Sequence, residues 1–561
     1  MKERMLSYLR PYRFTLVVVL LFNVCSTLIT TIQPLLGKIM IDDVLLSQKY
    51  PFPLALGAAA ALMAIAYGLS LATKYLYMKT SLSLMLDMRT SFYDHLLHLP
   101  YSFFSQKRVG DIVSRVNEDL AETQRLYTDS FMQLVSIGLT CLLHVGLLFY
   151  LEWKTAFGCL ALLPLLIWGT QKFRDLLYLG NRTLRELSAH NQSFLFDTLS
   201  SVRFIRTANL QSWLKHQYKE KLQQTNKQTI KVTFVSALAQ GVPQAVLIFS
   251  TLGILLFLGL KVQAGSMSIG ALIAFTAYQT GLYSAIQALA NLYIRLQKGK
   301  AAVQRVNEFL NIPEECDGRE TMIPFCRELR FEQVCFSHDG GSMILNNLNL
   351  SVQKGEKIGI VGESGIGKST LADLLARLFQ PSSGIITLDG IDIGHMKRSE
   401  WMQHVCLLAH DHPIWFGSLA DYLRLGSRTV SEEQMQIALH EVGLWKDVEK
   451  MPDVLHTHVG EKGVKLSAGQ RQRLMLARAL LQKPEILIMD EATCHLDMEA
   501  ERQIMALIQQ RFMKKTVILI THRLPNIMWV DRLLRLEDGS IREDGRKWGG
   551  DERGAPARLH G

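Results

Sequence analysis

Long apolar runs dominate the first half of the chain. They lie before about Asn291, and all but the shorter fourth run are close to the ~20 residues that a helix needs to cross the hydrocarbon core of a bilayer. Any single run could be a buried helix of a soluble domain, but a succession of six argues against that interpretation. We therefore predict six membrane spans, at Phe14–Met40, Pro53–Leu76, Phe131–Leu151, Thr155–Gly169, Val232–Leu260 and Ile269–Leu292.

The charges between the spans predict the orientation. Many Lys and Arg residues lie in the two long segments after spans two and four, whereas the three opposite loops are short and carry few. The positive-inside rule then places both long segments and both termini in the cytoplasm. A net charge of +10 is compatible with nucleic acid or with a membrane surface as the partner. Because the cations flank the apolar runs, we predict a multi-pass plasma (inner) membrane protein that contacts lipid and no nucleic acid.

Few polar groups interrupt the spans. Charged residues are nearly absent from their middles, so we expect a path for an amphipathic or uncharged substrate. His144 in the third span could contact a proton or the substrate, although a hydrogen bond to a neighbouring helix is the favoured interpretation. The eight cysteines form no C-x-x-C pair, which indicates packed, reduced thiols and neither a disulfide framework nor a zinc site.

The second half contains a phosphate-binding loop that follows G-x-x-x-x-G-K-[ST]. A strand-like run, Lys357–Val361, precedes the loop, and a helix-like run, Thr370–Arg377, follows it. Glycines allow the backbone N–H groups to point at phosphate oxygens, Lys368 can reach the terminal phosphates of ATP, and Ser369 can bind Mg²⁺. The predicted nucleotide-binding residues of the loop are Gly362, Glu363, Ser364, Gly365, Ile366, Gly367, Lys368, Ser369 and Thr370.

Other segments of the second half carry related chemistry. A buried strand ends in Asp490 and Glu491, which predicts a Mg²⁺ ligand and a base for the attacking water respectively. Another strand ends in His522, which could touch the γ-phosphate. The segment Ser467-Ala468-Gly469-Gln470 opens a helix whose N-terminus predicts a further anion site. Catalytic roles are thus predicted for Glu491, His522 and Lys368.

In this order and spacing, these motifs resemble the ATP-binding cassette of ABC transporters, and six preceding spans resemble an exporter-type half-transporter. Pro34-Leu35-Leu36 with Ile41-Asp42-Asp43, and Gly265–Gly270 before the last span, also fit that type. The resemblance implies two cassettes closing head to tail, with each ATP between one chain's phosphate loop and the other chain's signature segment, Ser467–Gln470. It also implies coupling helices in the cytoplasmic segments, near Asp111–Val116 and Leu210–Leu214.

Several positions depart from the family pattern. His338 occupies the place of the aromatic residue that stacks on adenine, and His410 occupies the place of a glutamine near the metal. The resemblance therefore implies that His338 contacts the nucleotide and that His410 contacts nucleotide and Mg²⁺. Ala468 replaces a glycine of the signature segment. Cys494-His495 replaces the more common Ser-Ala before Asp497, which is itself expected at the nucleotide site.

The sequence thus predicts a multidomain membrane protein: an all-α six-helix transmembrane domain (1–312), a linker (313–326), an α/β P-loop ATPase domain (327–544) and a disordered tail (545–561). The expected function is ATP-driven export of a drug, lipid or peptide by a dimer of half-transporters, the second chain being identical. One alternative is a subunit of a heterodimeric exporter. Another is a membrane ATPase that signals to a partner without transporting anything.

Overall fold

The computed structural model divides into two compact units. The membrane unit comprises Met1–Leu96 and Gly110–Ile312, and the ATPase unit comprises Leu97–Val109 and Pro313–Gly561. The structure describes residues 8–107, 109–315, 317–338, 341–409, 414, 417–425, 429–459, 466–521, 523 and 528–543. His410, His522 and the tail 545–561 therefore lie outside the described residues.

Long helices make up the membrane unit, and short helices lie in the segments between them. In chain order the helices up to Leu310 are α1 (Arg13–Ile39), α2 (Phe52–Leu97), α3 (Tyr101–Gln106), α4 (Val109–Ser114), α5 (Leu120–Tyr127), α6 (Asp129–Leu151), α7 (Trp153–Ala161), α8 (Leu163–Ser200), α9 (Val202–Thr207), α10 (Gln211–Gln263) and α11 (Ile269–Leu310). Of these, α3 belongs to the ATPase unit.

Five helical stretches among the described residues are long and apolar enough to cross a membrane, and a shorter apolar helix covers Trp153–Leu165. The fourth predicted span is interrupted at Leu162, which ends α7 and precedes α8. Pro164 lies in the first turn of α8, where its missing N–H needs no partner. The chain continues from there as a single helix to Ser200, well past the predicted end of this span at Gly169.

Two polar side chains of the last span bind neighbouring helices. The Tyr278 hydroxyl donates to the carbonyl of Thr31 at 2.8 Å, and Gln279 Nε2 donates to Ser250 Oγ at 2.8 Å. His144 packs against the Tyr278 ring with centroids 5.4 Å apart. In the described part of the chain, the buried Nδ1 of His144 has no hydrogen-bond partner. The favoured hydrogen bond to a neighbouring helix is therefore not made at this nitrogen.

Two segments that resemble the exporter family meet at the start of the last span. Ser268 caps α11 by accepting the N–H of Ala271, and its Oγ donates to Asp42 Oδ2 at 2.5 Å. The other oxygen of Asp42 accepts the N–H of Gly270 at 2.9 Å. A carboxylate at a helix N-terminus is favourable because the free N–H groups there carry partial positive charge. Asp42 therefore joins the end of the first span to the beginning of the sixth.

The described residues of the ATPase unit form two sheets. Its strands are β1 (Glu328–Ser337), β2 (Met343–Gln353), β3 (Lys357–Val361), β4 (Ser383–Leu388), β5 (Ile391–Asp392), β6 (Val405–Ala409), β7 (Ile486–Asp490), β8 (Thr516–Ile520), β9 (Arg532–Glu537) and β10 (Ser540–Glu543). The antiparallel sheet has the order β2-β1-β4-β5. The larger sheet has the order β10-β9-β3-β8-β7-β6, and all its neighbours pair in parallel except β9 and β10.

Helices cover both faces of the larger sheet. Those of the ATPase unit are α12 (Lys368–Leu375), α13 (Arg398–His404), α14 (Leu419–Arg424), α15 (Glu432–Glu441), α16 (Trp445–Val448), α17 (Ala468–Gln482) and α18 (Met498–Arg511). The central strands are buried on both sides, as expected for parallel strands between helical layers.

Alternate residues of the central strands belong to two different hydrophobic cores. Ile488 and Ile518 pack in the core that contains the apolar residues of α12. Leu487 and Met489 pack in the core that contains the apolar residues of α17. Because successive side chains of a strand point to opposite faces, the phosphate-loop helix α12 and the signature helix α17 lie on opposite faces of the same sheet.

Candidate functional site

The predicted phosphate loop forms a turn between β3 and α12. Gly365 has φ +81° and Gly367, which precedes the first residue of α12, has φ +110°. A Cβ built on Gly367 would also lie 2.7 Å from Ile344 Cγ2. Both the backbone angle and the space at Gly367 therefore require glycine. Glu363, Ser364 and Gly365 are exposed, so the loop presents its outer edge to solvent.

Lys368 extends back over this loop. Its Nζ donates to the carbonyl of Gly362 at 2.8 Å and to that of Glu363 at 2.7 Å, and the residue is only 7% exposed. Burial lowers the pKa of the Lys368 amine below its ordinary value, while Glu491 and Asp490 oppose that shift. An ammonium held over the mouth of the loop is suited to bind an anion there. Ser369, next along the chain, is exposed in the first turn of α12.

The paired carboxylates lie at the carboxyl end of β7. Asp490 is 7% exposed and pairs in register with Ile520 of β8, the strand between β7 and β3. Glu491 is half-buried, and its N–H donates to the carbonyl of Ile520 at 3.0 Å. Both carboxylates act on the pKa of Lys368. The structure thus brings together Lys368, Asp490 and Glu491, as the sequence predicted from separate motifs.

The backbone of Glu491 is strained. Its φ of +50° lies in the left-handed region, a backbone conformation that costs a residue with a Cβ about 1–2 kcal/mol. Such conformations persist where the surrounding structure enforces them, and they cluster at functional sites. The N–H of Cys494 donates to the carbonyl of Glu491 at 3.1 Å, so a turn begins at this residue directly after β7.

The signature segment begins α17 as a reciprocal cap. Ser467 Oγ accepts the N–H of Gln470 at 3.2 Å, and Gln470 Oε1 accepts the N–H of Ser467 at 2.9 Å. Ser467 is exposed, and Ala468 and Gly469 are half-buried. Because α17 covers the face of the sheet opposite α12, the structure does not bring these residues onto the phosphate-loop helix.

His338 follows directly after β1 and is exposed. Its imidazole is edge-on to Phe336, with ring centroids 4.9 Å apart, and to Phe379, with centroids 5.0 Å apart. Tyr101 of α3 contacts the same Phe379 edge-on at 5.4 Å. Sequence reasoning missed Phe379, although an aromatic residue shortly after the phosphate-loop helix is a visible signal. The two phenylalanines hold the exposed ring that was predicted to stack on adenine.

The structure describes Asp497 and its neighbours but not two of the predicted histidines. Asp497 is exposed at the start of α18, although its side chain makes no capping hydrogen bond there. Cys494 and His495, between Asp497 and the paired acids, contact Gln472 of α17. No sequence pattern indicates this contact, because it joins residues more than twenty positions apart. The proposed contacts of His410 and His522 stay predictions, since both lie outside the described residues.

Comparison with known proteins connects these features. The family described as ABC transporter transmembrane region matches residues 16–286, and the family described as ABC transporter matches residues 345–494. The chain is 29% identical over 483 residues to the "ATP-dependent lipid A-core flippase" of Chromobacterium violaceum, covering 84% of this chain and 82% of that protein. It is 31% identical over 542 residues to "Alpha-hemolysin translocation ATP-binding protein HlyB" of Escherichia coli O157:H7, covering 95% and 76% respectively.

A solved structure shares the whole architecture. A bacterial Atm1-family ABC exporter with ATP bound superposes with a TM-score of 0.78, covering 95% of this chain and 94% of that one, at 21% identity. At this identity the likeness concerns the fold alone, whereas the two family matches and the relatives concern the sequence. Predicted fold class and predicted ATPase activity are both confirmed. The chain therefore belongs to the ABC transporters, as an exporter-type transmembrane region fused to an ATPase that couples ATP hydrolysis to transport.

Proposed function

We propose that this chain works as a dimer of two identical half-transporters and exports an amphipathic substrate across the plasma membrane. One observation carries the proposal: the phosphate-loop helix α12 and the signature helix α17 lie on opposite faces of one sheet. Both helices begin in turns suited to anions, yet one chain directs them to different sides. A second copy in head-to-tail arrangement supplies the missing signature segment to each phosphate loop, and symmetric dimers are the commonest solution for such surfaces.

The residues of the nucleotide site fit ATP with Mg²⁺. Lys368 and the loop N–H groups would hold the phosphates, and Ser369 and Asp490 offer the oxygen ligands that Mg²⁺ prefers. When bound, the metal neutralises charge that develops on the phosphates during transfer. Lys368 now donates to loop carbonyls, so it can reorient to phosphate oxygens with little cost in desolvation. Glu491 accepts the proton of the attacking water, and exposed His338 stacks on the base.

The membrane unit supports an amphipathic substrate. A cavity of about 670 Å³ lies between α7, α8 and α10, and its lining is almost entirely apolar. Lys154 is the one cation among the described residues that line it. A large apolar surface with a single charge fits a molecule that has an apolar body and a polar or anionic end. The relatives are named for lipid A-core and for alpha-hemolysin, so a lipid, a drug-like molecule and a peptide all remain within the proposal.

Transport is tested by movement of substrate in a sealed membrane. The purified chain is reconstituted in liposomes with the ATPase unit outside, and ATP-dependent uptake is measured for a labelled phospholipid, an amphipathic dye and an apolar peptide. We expect uptake of at least one class, and none in the Glu491→Gln variant. ATP hydrolysis without movement of any class would favour the signalling ATPase. No hydrolysis by this chain alone, restored by a second transporter chain, would favour the heterodimer.

A further inference from the structure

Three side chains meet beside the paired acids and have no part in the proposed hydrolysis. Cys494 Sγ lies 3.1 Å from Nδ1 of His495. Nε2 of Gln472, on the signature helix α17, lies 3.4 Å from that sulfur and 3.2 Å from the same Nδ1. Both Cys494 and His495 differ from the residues common in the family, so the family's shared reaction does not account for them.

The hydrogen bonds fix which atom accepts. The backbone N–H of His495 donates to Gln472 Oε1 at 3.1 Å, so the amide oxygen is occupied and Nε2 faces the sulfur and the ring. Nδ1 of His495 has one lone pair, and both this amide and the Cys494 sulfur lie at hydrogen-bond distance from it. When Nε2 donates to the sulfur, that lone pair faces the thiol proton, with the two heavy atoms 3.1 Å apart. As the sulfur attacks an electrophile, Nδ1 can take this proton, so that the cysteine reacts as its thiolate.

The pair is accessible and lies near a positive charge. Cys494 is half-buried, and His495 is exposed. Arg523 donates from Nη2 to the Cys494 carbonyl at 2.8 Å, and its other terminal nitrogen pairs with Glu501. A partly exposed thiol next to a base, in a turn whose backbone is held by a guanidinium, has surroundings that suit a reactive cysteine.

The position of Cys494 connects it to the hydrolytic centre. Its N–H donates to the carbonyl of Glu491 at 3.1 Å, closing the turn that follows the strained glutamate. Its sulfur contacts Gln472, one turn into the helix that the signature segment begins. A group attached to this sulfur cannot fit at 3.4 Å from the Gln472 amide, so it must displace either the turn or the helix side chain.

We propose that Cys494 is a site of reversible covalent modification by peroxides and small thiols, and that its adduct slows ATP hydrolysis. The Cys494 thiolate attacks one peroxide oxygen, an S–O bond forms, and the O–O bond breaks. The departing hydroxide, or alkoxide, takes the proton held by His495. The resulting sulfenic acid is attacked by a small thiol such as glutathione, which forms a mixed disulfide and releases water. A further thiol regenerates Cys494 by disulfide exchange.

Another thiol of the ATPase unit competes with this assignment. Hydrogen bonds from Ser383 and from the backbone N–H of Asn347 lower the pKa of the Cys335 thiol. Cys335 lies on β1 and has no imidazole at hydrogen-bond distance among the described residues. It is the matched control, because it tests whether any activated thiol of this unit gives the same effect.

The experiment treats the full-length chain in lipid with hydrogen peroxide and glutathione near pH 7. Adduct occupancy at each cysteine is measured by mass spectrometry, and ATP turnover is normalised to each variant's own untreated rate. The variants are Cys494→Ser, Cys494→Ala, Cys335→Ser and His495→Gln. Untreated turnover reports on the proposed transporter itself, so a failure of that proposal is distinguishable from a failure of this one.

We expect treatment to lower ATP turnover at least about fivefold in the chain without substitutions and in Cys335→Ser. Dithiothreitol should restore turnover fully in both. Either Cys494 variant should lose less than about twofold. His495→Gln should acquire the Cys494 adduct at least about fivefold more slowly, because an amide cannot take the thiol proton as the sulfur attacks. Equal inhibition of the Cys494 variants would overturn the proposal, and so would a chain fully modified at Cys494 that keeps its turnover.

Discussion

The phosphate-loop helix α12 and the signature helix α17 both begin at turns that can bind an anion, but the two turns differ in what they contain. The first has two glycines at positive φ, a buried lysine and two carboxylates within reach of that lysine. The second has an exposed Ser467 and Gln470 whose side chains satisfy each other's backbone. One turn is a nearly complete phosphate site, and the other is a cap that faces outward.

This difference is the reason why the proposed mechanism needs two chains, although one chain has the parts of an ATPase. The phosphate loop, Asp490 and Glu491 are assembled by three adjacent strands, β3, β8 and β7, so folding alone brings them together. The signature helix α17 packs on the opposite face, against α14, α15 and β6. Only a second chain can present its signature turn to the first chain's loop in the proposed head-to-tail dimer.

The largest expected effect concerns Glu491, which belongs to the complete turn. Replacing it with glutamine removes the proposed base while keeping its shape, so turnover should fall at least about 100-fold. ATP binding should persist, because the phosphate loop is unchanged, and nucleotide should be retained by the chain. Turnover and retained nucleotide are measured in lipid, with exposed Glu499→Gln as the control. Hydrolysis within about threefold of the unmodified chain would contradict the assignment.

ATP affinity distinguishes a defect in the phosphate loop, Lys368→Ala, from a defect in the signature turn, Ser467→Arg. Loss of a charged donor to phosphate should weaken ATP binding by about 10- to 100-fold, since such bonds contribute about 1.5–3 kcal/mol. Ser467→Arg should abolish turnover as well, yet leave ATP affinity of the solubilised chain within about threefold. Equilibrium binding of ATP to both variants is the measurement. A comparable loss of affinity in Ser467→Arg would place the signature turn at its own chain's phosphate loop.

Much of the complete turn could be predicted from sequence, because local rules determine it. The strand predicted at Lys357–Val361 is observed with those bounds, and the helix predicted at Thr370–Arg377 is observed at Lys368–Leu375. Buried strands bounded by turn residues and glycine-rich loops are visible in a single sequence. The meeting of Lys368 with Asp490 and Glu491 followed from one topological rule, that parallel strands end at a common edge.

Most features that escaped prediction depend on tertiary packing. The break at Leu162 in the fourth span is the exception, because Pro164, two residues on, is a local signal for the start of a helix. The ring of Phe379 contacts His338 from a different element of the fold. The contact of Gln472 with Cys494 joins helix α17 to the loop after β7. None of these partners lies within one helical turn or strand pair of the other, so no periodicity indicates them.

Variants of His338 test whether this side chain contacts the adenine base at the phosphate-loop site. Stacking of a base on an aromatic ring contributes about 1–3 kcal/mol. We expect His338→Ala to weaken ATP binding by about 5- to 100-fold and His338→Tyr, with its larger ring, to strengthen it. ATP affinity is compared with GTP affinity for each variant. Unchanged affinities in both variants would mean that the exposed imidazole rests on Phe336 and Phe379 without touching nucleotide.

The smallest expected effect compares two identical caps. Ser431 and Gln434 form the same reciprocal cap at the start of α15 that Ser467 and Gln470 form at the start of α17. Replacing either serine with alanine should lower stability by about 1 kcal/mol, seen as similar small decreases in melting temperature in lipid. Only Ser467→Ala should also reduce ATP turnover. Equal turnover in the two variants would mean that Ser467 only caps its helix and does not contact ATP.

Mixing two inactive variants tests the central claim most directly. Lys368→Ala chains keep an intact signature turn, and Ser467→Arg chains keep an intact phosphate loop. In a mixed dimer, one of the two ATP sites combines both intact parts and the other site combines both defects. Half of the sites in the isolated mixed dimers should therefore be intact. Differently tagged chains are co-expressed, mixed dimers are isolated through both tags, and ATP turnover is compared with that of each parent. The account predicts turnover far above both parents, and mixed dimers as inactive as the parents would contradict it.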